Sequence, residues 1–326
     1  MNIGITYDLR SDYLKMGYSE EETAEFDRED TIEAIEQALH TLGHQPERIG
    51  HIKQLVDLLG KGKRWDLVFN ISEGLYGTGR EAQVPALLDA YRIPYVFSGP
   101  LVLALTLDKG LTKRVIRDAG LATPEFHVLR SPKDLDEIAL SYPLFVKPML
   151  EGTGKGIDGK SIVNNPQELS ARCQELWENF NQPLLVESYL SGREFTTGIT
   201  GTGAQATTTG TMEIILLEDA ESGVYSYKNK EDCERLIEYK ALTEQPLKQQ
   251  CESLALGAYK LLNCEDGGRV DIRLDSRGIP NFIEINPLAG LHPEHSDLPI
   301  LSRLNGMNYM ELMTRILTSA LQKVKP

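Results

Sequence analysis

Cysteine is scarce and scattered in this chain: Cys173, Cys233, Cys251 and Cys264 are its four, and none stands in a CxxC pair. That spacing suggests neither a zinc site nor a disulfide framework, so the thiols are expected as small buried or half-buried side chains. Also missing is any apolar run near the ~18 residues a membrane helix requires, and the start MNIGITYDLR lacks the basic-then-apolar order of a signal peptide. The expectation is a cytoplasmic protein without a membrane partner. Positive charge is in deficit, with 34 Lys and Arg against 48 Asp and Glu and a net charge of -14. Nucleic acid, whose phosphates need clustered Lys and Arg, is therefore not an expected partner. A small anionic ligand stays open, because a local lysine cluster with a divalent cation can hold a nucleotide inside an acidic protein.

No GxSxG, HExxH, internal repeat or low-complexity tract occurs. The short LHPEHS, with His292 and His295, reads as a polar loop, and Lys109, Lys113, Arg114 and Arg117 read as the solvated face of an amphipathic helix. What is present, 326 residues of which 41% are hydrophobic and 25% charged, describes a soluble globular chain of two or three domains.

The order of segments reads as α/β. NIGITYD, WDLVFNI and IPYVFSG are strand-like and alternate with helices, one of which puts Ile32, Ile35, Leu39 and Leu42 on one face before a Gly43 stop. A parallel α/β unit up to about residue 107 follows. Next come the helix LDKGLTKRVIRDAG, the strand EFHVL and a helix SPKDLDEIAL entered through Ser131 and Pro132. The strands SYPLFVKPM and KSIVNN, the helix opened by Asn165 and Glu168, and the strand PLLVESYL complete this part. The last third is richer in β pattern: EFTTGIT, TTTGTMEIILL and GVYSYKN, then a helix around QQCESLALGAYKLL. RVDIRLD and NFIEIN, joined by the turn DSRGIP, are expected to pair as a hairpin.

The stretch FVKPMLEGTGKGIDGK, residues 145–160, invites comparison with phosphate cradles. A P-loop requires Ser or Thr after its GK, and here Gly156 follows Gly154-Lys155. A GxGxxG match at Gly154, Gly156 and Gly159 is followed by the β-like KSIVNN rather than a helix, so the dinucleotide fingerprint is weak. The remaining template is a hairpin whose glycine-rich tip folds over a nucleotide while Lys147 points at phosphate from the strand. The plain alternative is a mobile hairpin tip with a solvated Lys155. Downstream, Asp271 stands on one expected strand and Glu284 and Asn286 on the next. Alternation puts Glu284 and Asn286 on one side, and pairing brings Asp271 beside them. Two carboxylates and an amide oxygen suit a hard cation bridging nucleotide phosphates, magnesium first and manganese second.

In sequence order, REAQVPALLDAYRIPYVFSGP, LTLDKGLTK, FVKPMLEGTGKGI, LLVESYLSGREFTTGI, GGRVDIRLD and FIEINPLAGLHPEHSDLP resemble the ATP-grasp superfamily, most closely its D-alanine–D-alanine ligase family, from about Phe69 to Pro299. The resemblance implies an ATP-grasp α/β (α+β) fold: an N-terminal α/β domain over 1–107, a central lid part over 108–190 and a C-terminal part over 191–326. It implies that Lys109 and Lys147 contact ATP phosphates beneath a turn from Glu151 through Gly152, Thr153 and Gly154 to Gly156. Glu187 and Glu194 would hold the ribose side, with Ser188, Tyr189 and Leu190 as the adenine-facing segment. Asp271, Glu284 and Asn286 would bind magnesium. Arg269, Lys230 and Thr153 would form the catalytic set, and Gly290 and Ser296 would seat the second substrate. The implied reaction joins two amino acids through an acyl phosphate, and a homodimer is implied.

The sequence departs from the family on the substrate side. ITYDLRSDYLKMGYSEEE stands in place of the GGxSxE pattern, and FNISEGLYGTGRE in place of the usual His-Gly-rich segment. Thr153-Gly154 replaces a serine pair, Glu231 follows Lys230 where tyrosine is usual, and one extra residue precedes Ser296. The alternatives carried forward are a kinase-like ATP-grasp phosphotransferase and a non-catalytic nucleotide-binding protein.

Overall fold

The computed structural model describes residues 1–217, 220, 223–224 and 233–324. The expected strand GVYSYKN lies almost wholly outside them, and so do Lys230 and Glu231. Strands β1 (Asn2–Thr6), β2 (Gln45–Gly50) and β3 (Leu67–Asn70) form a parallel sheet in the order β2-β1-β3. Their apolar runs are covered on both faces, as parallel sheets require, with Ile3, Ile5, Leu67 and Phe69 fully buried. The helix Glu29–Thr41 packs Ile32, Ile35 and Leu39 into this core along the expected face.

β2 was not legible, since QPERIG carries only one aliphatic residue. Conversely, IPYVFSG makes only a single bridge, between Tyr95 and Val68. Phe97 takes a left-handed φ of 74° and donates its N–H to the buried carboxylate of Asp266 at 2.7 Å, so the ladder stops there.

Strands β4 (Phe126–Leu129), β5 (Leu144–Pro148), β6 (Ile162–Val163) and β7 (Leu184–Ser188) form an antiparallel sheet ordered β4-β7-β5-β6. The helix Pro166–Phe180 covers one face, and Asn165 caps it by accepting from Glu168 N at 2.9 Å. KSIVNN shrinks to the two residues of β6 because Gly159–Ser161 coil into a 3-10 turn capped by Asp158. SPKDLDEIAL likewise yields only the 3-10 turn Pro132–Glu137, with the carboxylate of Asp134 accepting from the backbone of Arg130 and Ser131.

The third sheet, antiparallel, runs β10-β9-β8-β11-β12, with β8 (Glu194–Thr200), β9 (Thr207–Leu216), β10 (Ile237–Ala241), β11 (Gly267–Leu274) and β12 (Pro280–Asn286). The expected hairpin is β11–β12, closed by Asp275 N donating to Ile279 O at 2.9 Å. The helix Gln245–Leu261 packs on one face of this sheet. The helices Asp297–Leu304 and Tyr309–Ala320 share a core with β9 and the first sheet. Cys173, Cys251 and Cys264 are buried free thiols, each pushed up to about 12 by burial.

Candidate active site

The hairpin β11–β12 registers Asp271 opposite Glu284 and Arg269 opposite Asn286, so all four side chains leave one face of the sheet. Asp271 accepts from Thr196 Oγ1 at 2.7 Å and from Asn286 Nδ2 at 3.4 Å, and Arg269 Nη1 donates to both its carboxylate oxygens. Asp297 completes the set 3.6 Å from Arg269. Burial works against the Arg269 guanidinium, but Asp271 and Asp297 hold its pKa above the ordinary value, fixing a cation at the cleft floor.

The second sheet supplies the opposing wall. Lys147 on β5 and Glu187 on β7 lie diagonally across one ladder and are 3.0 Å apart, both almost inaccessible to solvent. The other oxygen of Glu187 meets Lys113 Nζ at 2.5 Å. Lys113 is fully buried and Lys109 is buried too, which corrects the reading of both as part of a solvated helix face. Lys113 sits one turn beyond Lys109 in the helix Lys109–Asp118, on the same helix face, with Lys109 lining the cleft and Lys113 behind its wall. Burial alone would raise the Glu187 carboxyl, yet the two ammonium groups hold it below its usual range. Glu187, expected on the ribose side, thus spends both oxygens on lysines. Glu194 pairs with Arg273 at 3.3 Å.

The turn after β5 closes between the sheets. Thr153, Gly154 and Gly156 all have positive φ, at 53°, 76° and 68°. The expected alternative of a solvated Lys155 is wrong: it is buried, 2.9 Å from Glu151 and 3.4 Å from Glu25. Glu25 also accepts from Gly152 N at 2.7 Å and pairs with Arg80 at 2.9 Å, while Arg80 donates to Leu150 O at 3.0 Å. The first segment therefore grips the turn through two buried charged residues.

Two cavities meet here. The smaller, about 80 Å³, is lined by Lys147, Glu187, Ser188, Tyr189, Leu190 and Glu194. Tyr189 stacks on Phe145 and carries Arg273 5.2 Å from its ring centre, giving this cavity a planar aromatic wall. The larger, about 490 Å³, is lined by Arg269, Thr153, Gly290 and Ser296 together with Asp27 and Glu73. Lys109 and Glu284 line both, 3.5 Å apart. Gly290 has a steric reason: a Cβ there would lie 2.7 Å from Ser296 Oγ, which accepts from His292 N at 2.9 Å. His292 in turn reaches Asp30 at 3.3 Å, so LHPEHS is an anchored loop; burial lowers the His292 pKa against the pull of Asp30.

A sequence model described as D-ala D-ala ligase C-terminus matches residues 115–318. A D-alanine–D-alanine ligase of Bordetella petrii is 32% identical over 276 residues, 83% of this chain and 80% of that protein. The chain belongs to the D-alanine–D-alanine ligase family. A second relative of that name, from Aquifex aeolicus, is 30% identical and covers 88% of this chain and 94% of its own length. The D-alanine–D-alanine ligase of Bacillus anthracis, crystallised with ATP, superposes with a TM-score of 0.74 at 23% identity, covering 99% of this chain and 98% of that one. A D-Ala:D-Ser ligase of Enterococcus faecalis gives the same TM-score at 19% identity, over 98% and 99%. The fold is accordingly the ATP-grasp α/β fold of this ligase family.

Within this family member the structure gathers Lys109, Lys147, Glu151, Asp271, Glu284 and Asn286 around one cleft. Lys230 lies outside the described residues. Sequence reasoning missed Glu25, Arg80 and Asp297, which reach the site through tertiary packing. It gave Lys113 and the alternative placing of Lys155 a solvated reading, although Lys113 stands i+4 from Lys109 and Lys155 lies in the glycine-rich turn.

Proposed function

We propose that this protein is an ATP-dependent carboxylate–amine ligase that joins two amino acids through an acyl phosphate and releases ADP and phosphate. The observation that carries the reading is the meeting of the two cavities at Lys109 and Glu284. A triphosphate lying in the narrow cavity along Lys147 would present its terminal phosphate at that junction. A substrate carboxylate in the larger cavity could attack it there in line. Asp271, Glu284 and Asn286 are oxygen donors on one sheet face, a set that fits magnesium, which when bound would neutralise charge on the terminal phosphates.

Lys147 and Lys109 would hold the phosphates, and the turn from Glu151 to Gly156 would exclude water that could otherwise hydrolyse the acyl phosphate. Ser188 to Leu190 would face the adenine and Glu194 the ribose. Arg269, already fixed by two carboxylates, lies where it could meet the oxyanion formed as the amine attacks the activated carbonyl. Gly290 and Ser296 would seat the second substrate, and Lys230 would serve near the terminal phosphate. D-alanine is the leading substrate, and the three-part division at 107/108 and 190/191, the homodimer and the cytoplasmic location belong to the same reading.

Glu284→Ala should lower turnover by on the order of a thousandfold with the far-UV spectrum unchanged; undiminished activity would remove the metal assignment. Phosphate release dependent on amino acid, with equimolar dipeptide by mass spectrometry over pairs of D- and L-amino acids, separates ligation from a kinase-like outcome.

A further inference from the structure

Lys113 is a fully buried ammonium for which the proposed reaction has no direct use. It donates to Thr123 Oγ1 at 2.9 Å and to Phe282 O at 3.3 Å, and its third partner is the Glu187 carboxylate. The second oxygen of that carboxylate belongs to Lys147, 3.0 Å away, which lines the narrow cavity. Lys113 itself does not line that cavity. The three side chains come from three elements, the helix Lys109–Asp118, β5 and β7. They form a row Lys113–Glu187–Lys147 whose charges sum to +1.

That sum matters more than any single contact. A pair of Glu187 and Lys147 alone would be neutral, and its lysine would already be satisfied when a polyanion arrived. With Lys113 behind it, Glu187 is neutralised from the rear, and one full positive charge remains at the cavity wall. We propose that Lys113 is a positioning residue for the nucleotide site: it neutralises Glu187 from behind and so leaves the Lys147 ammonium free to bind a phosphate. This rests on the ATP reading of the narrow cavity. Glu284 on β12 and Glu194 on β8 also face the row, and the other cations lining the narrow cavity are each paired with a carboxylate other than Glu187: Lys109 with Glu284, Lys155 with Glu151 and Arg273 with Glu194.

The direction of the pKa values agrees with this arrangement. Burial pushes the Lys113 ammonium down to about 8 against the pull of Glu187, whereas for Lys147 the Glu187 and Glu284 carboxylates outweigh burial and raise it. Lys113 is thus the member whose charge is hardest to maintain, yet it is the one placed out of reach of a ligand.

The test uses charge arithmetic that a merely structural lysine would not obey. Lys113→Met makes the row neutral, and the double variant Lys113→Met/Glu187→Gln returns it to +1 through Lys147 alone. Calorimetric binding to the full-length protein should show ATP and inorganic tripolyphosphate both weakened on the order of tenfold or more in the single variant. In the double variant most of the tripolyphosphate affinity should return. Tripolyphosphate has no ribose or base, so any weakening of nucleoside binding by the Glu187 substitution cannot obscure that recovery. ATP affinity unchanged in a folded Lys113→Met, or a double variant as weak for tripolyphosphate as the single one, overturns the proposal. Should Lys113→Met fail to melt cooperatively, Glu187→Gln alone, with a row of +2, must bind tripolyphosphate more tightly than the wild type; weaker binding overturns the proposal equally. A wild type that binds neither ligand overturns the ATP reading instead, a result distinct from those outcomes.

Discussion

Asp27, Glu73 and Glu81 line the larger cavity, and no ion pair with any of them occurs among the described residues. Burial raises Asp27 to about 8, reinforced by Asp8, and raises Glu81 to about 7 although Arg80 pulls the other way; Glu73 is also raised, by burial and by Glu81. A carboxyl whose folded pKa lies above its unfolded one holds its proton longer in the native state. The stability it lends is complete below about pH 4, the unfolded value, and is lost as pH rises through the folded value. Between about pH 4 and 8 these groups therefore destabilise the protein progressively. The double variant Asp27→Asn/Glu81→Gln should melt at a higher temperature than the wild type at pH 8 and at nearly the same temperature at pH 4. Thermal melts by circular dichroism across that range check the sign, and a variant curve parallel to the wild type at every pH would refute it. None of these acids was singled out from sequence, because FNISEGLYGTGRE has no periodicity and an isolated acid says nothing about its counter-charges.

At the scale of elements, caps, hairpins and amphipathic faces are local and were readable. Asn165 starts its helix with the expected side-chain cap, and β11 meets β12 across the expected turn. The failures were short segments whose fate depends on neighbours, such as QPERIG, which becomes β2 only because β1 offers it a parallel edge. The turn from Glu151 to Gly156 lies between the two cases. Its glycines marked it as special, but what they accommodate is visible only in three dimensions: a Cβ on Gly156 would come within 2.6 Å of Pro148 Cγ and 2.8 Å of Phe180. With φ at 68° as well, Gly156→Ala should cost more than about 1 kcal/mol locally. We expect a several-fold rise in the KM for ATP with little loss of global stability, measured by steady-state kinetics beside a urea titration.

At the scale of the whole molecule, Asp266 is the knot. Fully buried, it accepts from Phe97 N at 2.7 Å and from Ser319 Oγ at 2.8 Å, and it pairs with Lys323 at 2.8 Å. It thereby joins the first segment, the third sheet and the C-terminal helices. Burial raises its pKa against the opposing pull of Lys323. Asp266→Ala strands the buried Phe97 N–H, whereas Lys323 keeps Glu265 at 2.7 Å and the Tyr95 and Phe97 carbonyls; it should lower the unfolding free energy by about 2 kcal/mol in urea titration. A loss under about 1 kcal/mol would show that water replaces these bonds. The sequence by itself determined the α/β class, the paired carboxylates of β11 and β12 and the lysine of β5, because strand alternation and turn chemistry act over a few residues. Tertiary structure alone decided that Glu187 is shared by two lysines, that Glu25 and Arg80 hold the turn after β5, and that Lys155 is buried. Those outcomes depend on charges brought together from distant parts of the chain, 55 residues apart for Glu25 and Arg80, and a local pattern carries no record of such distances.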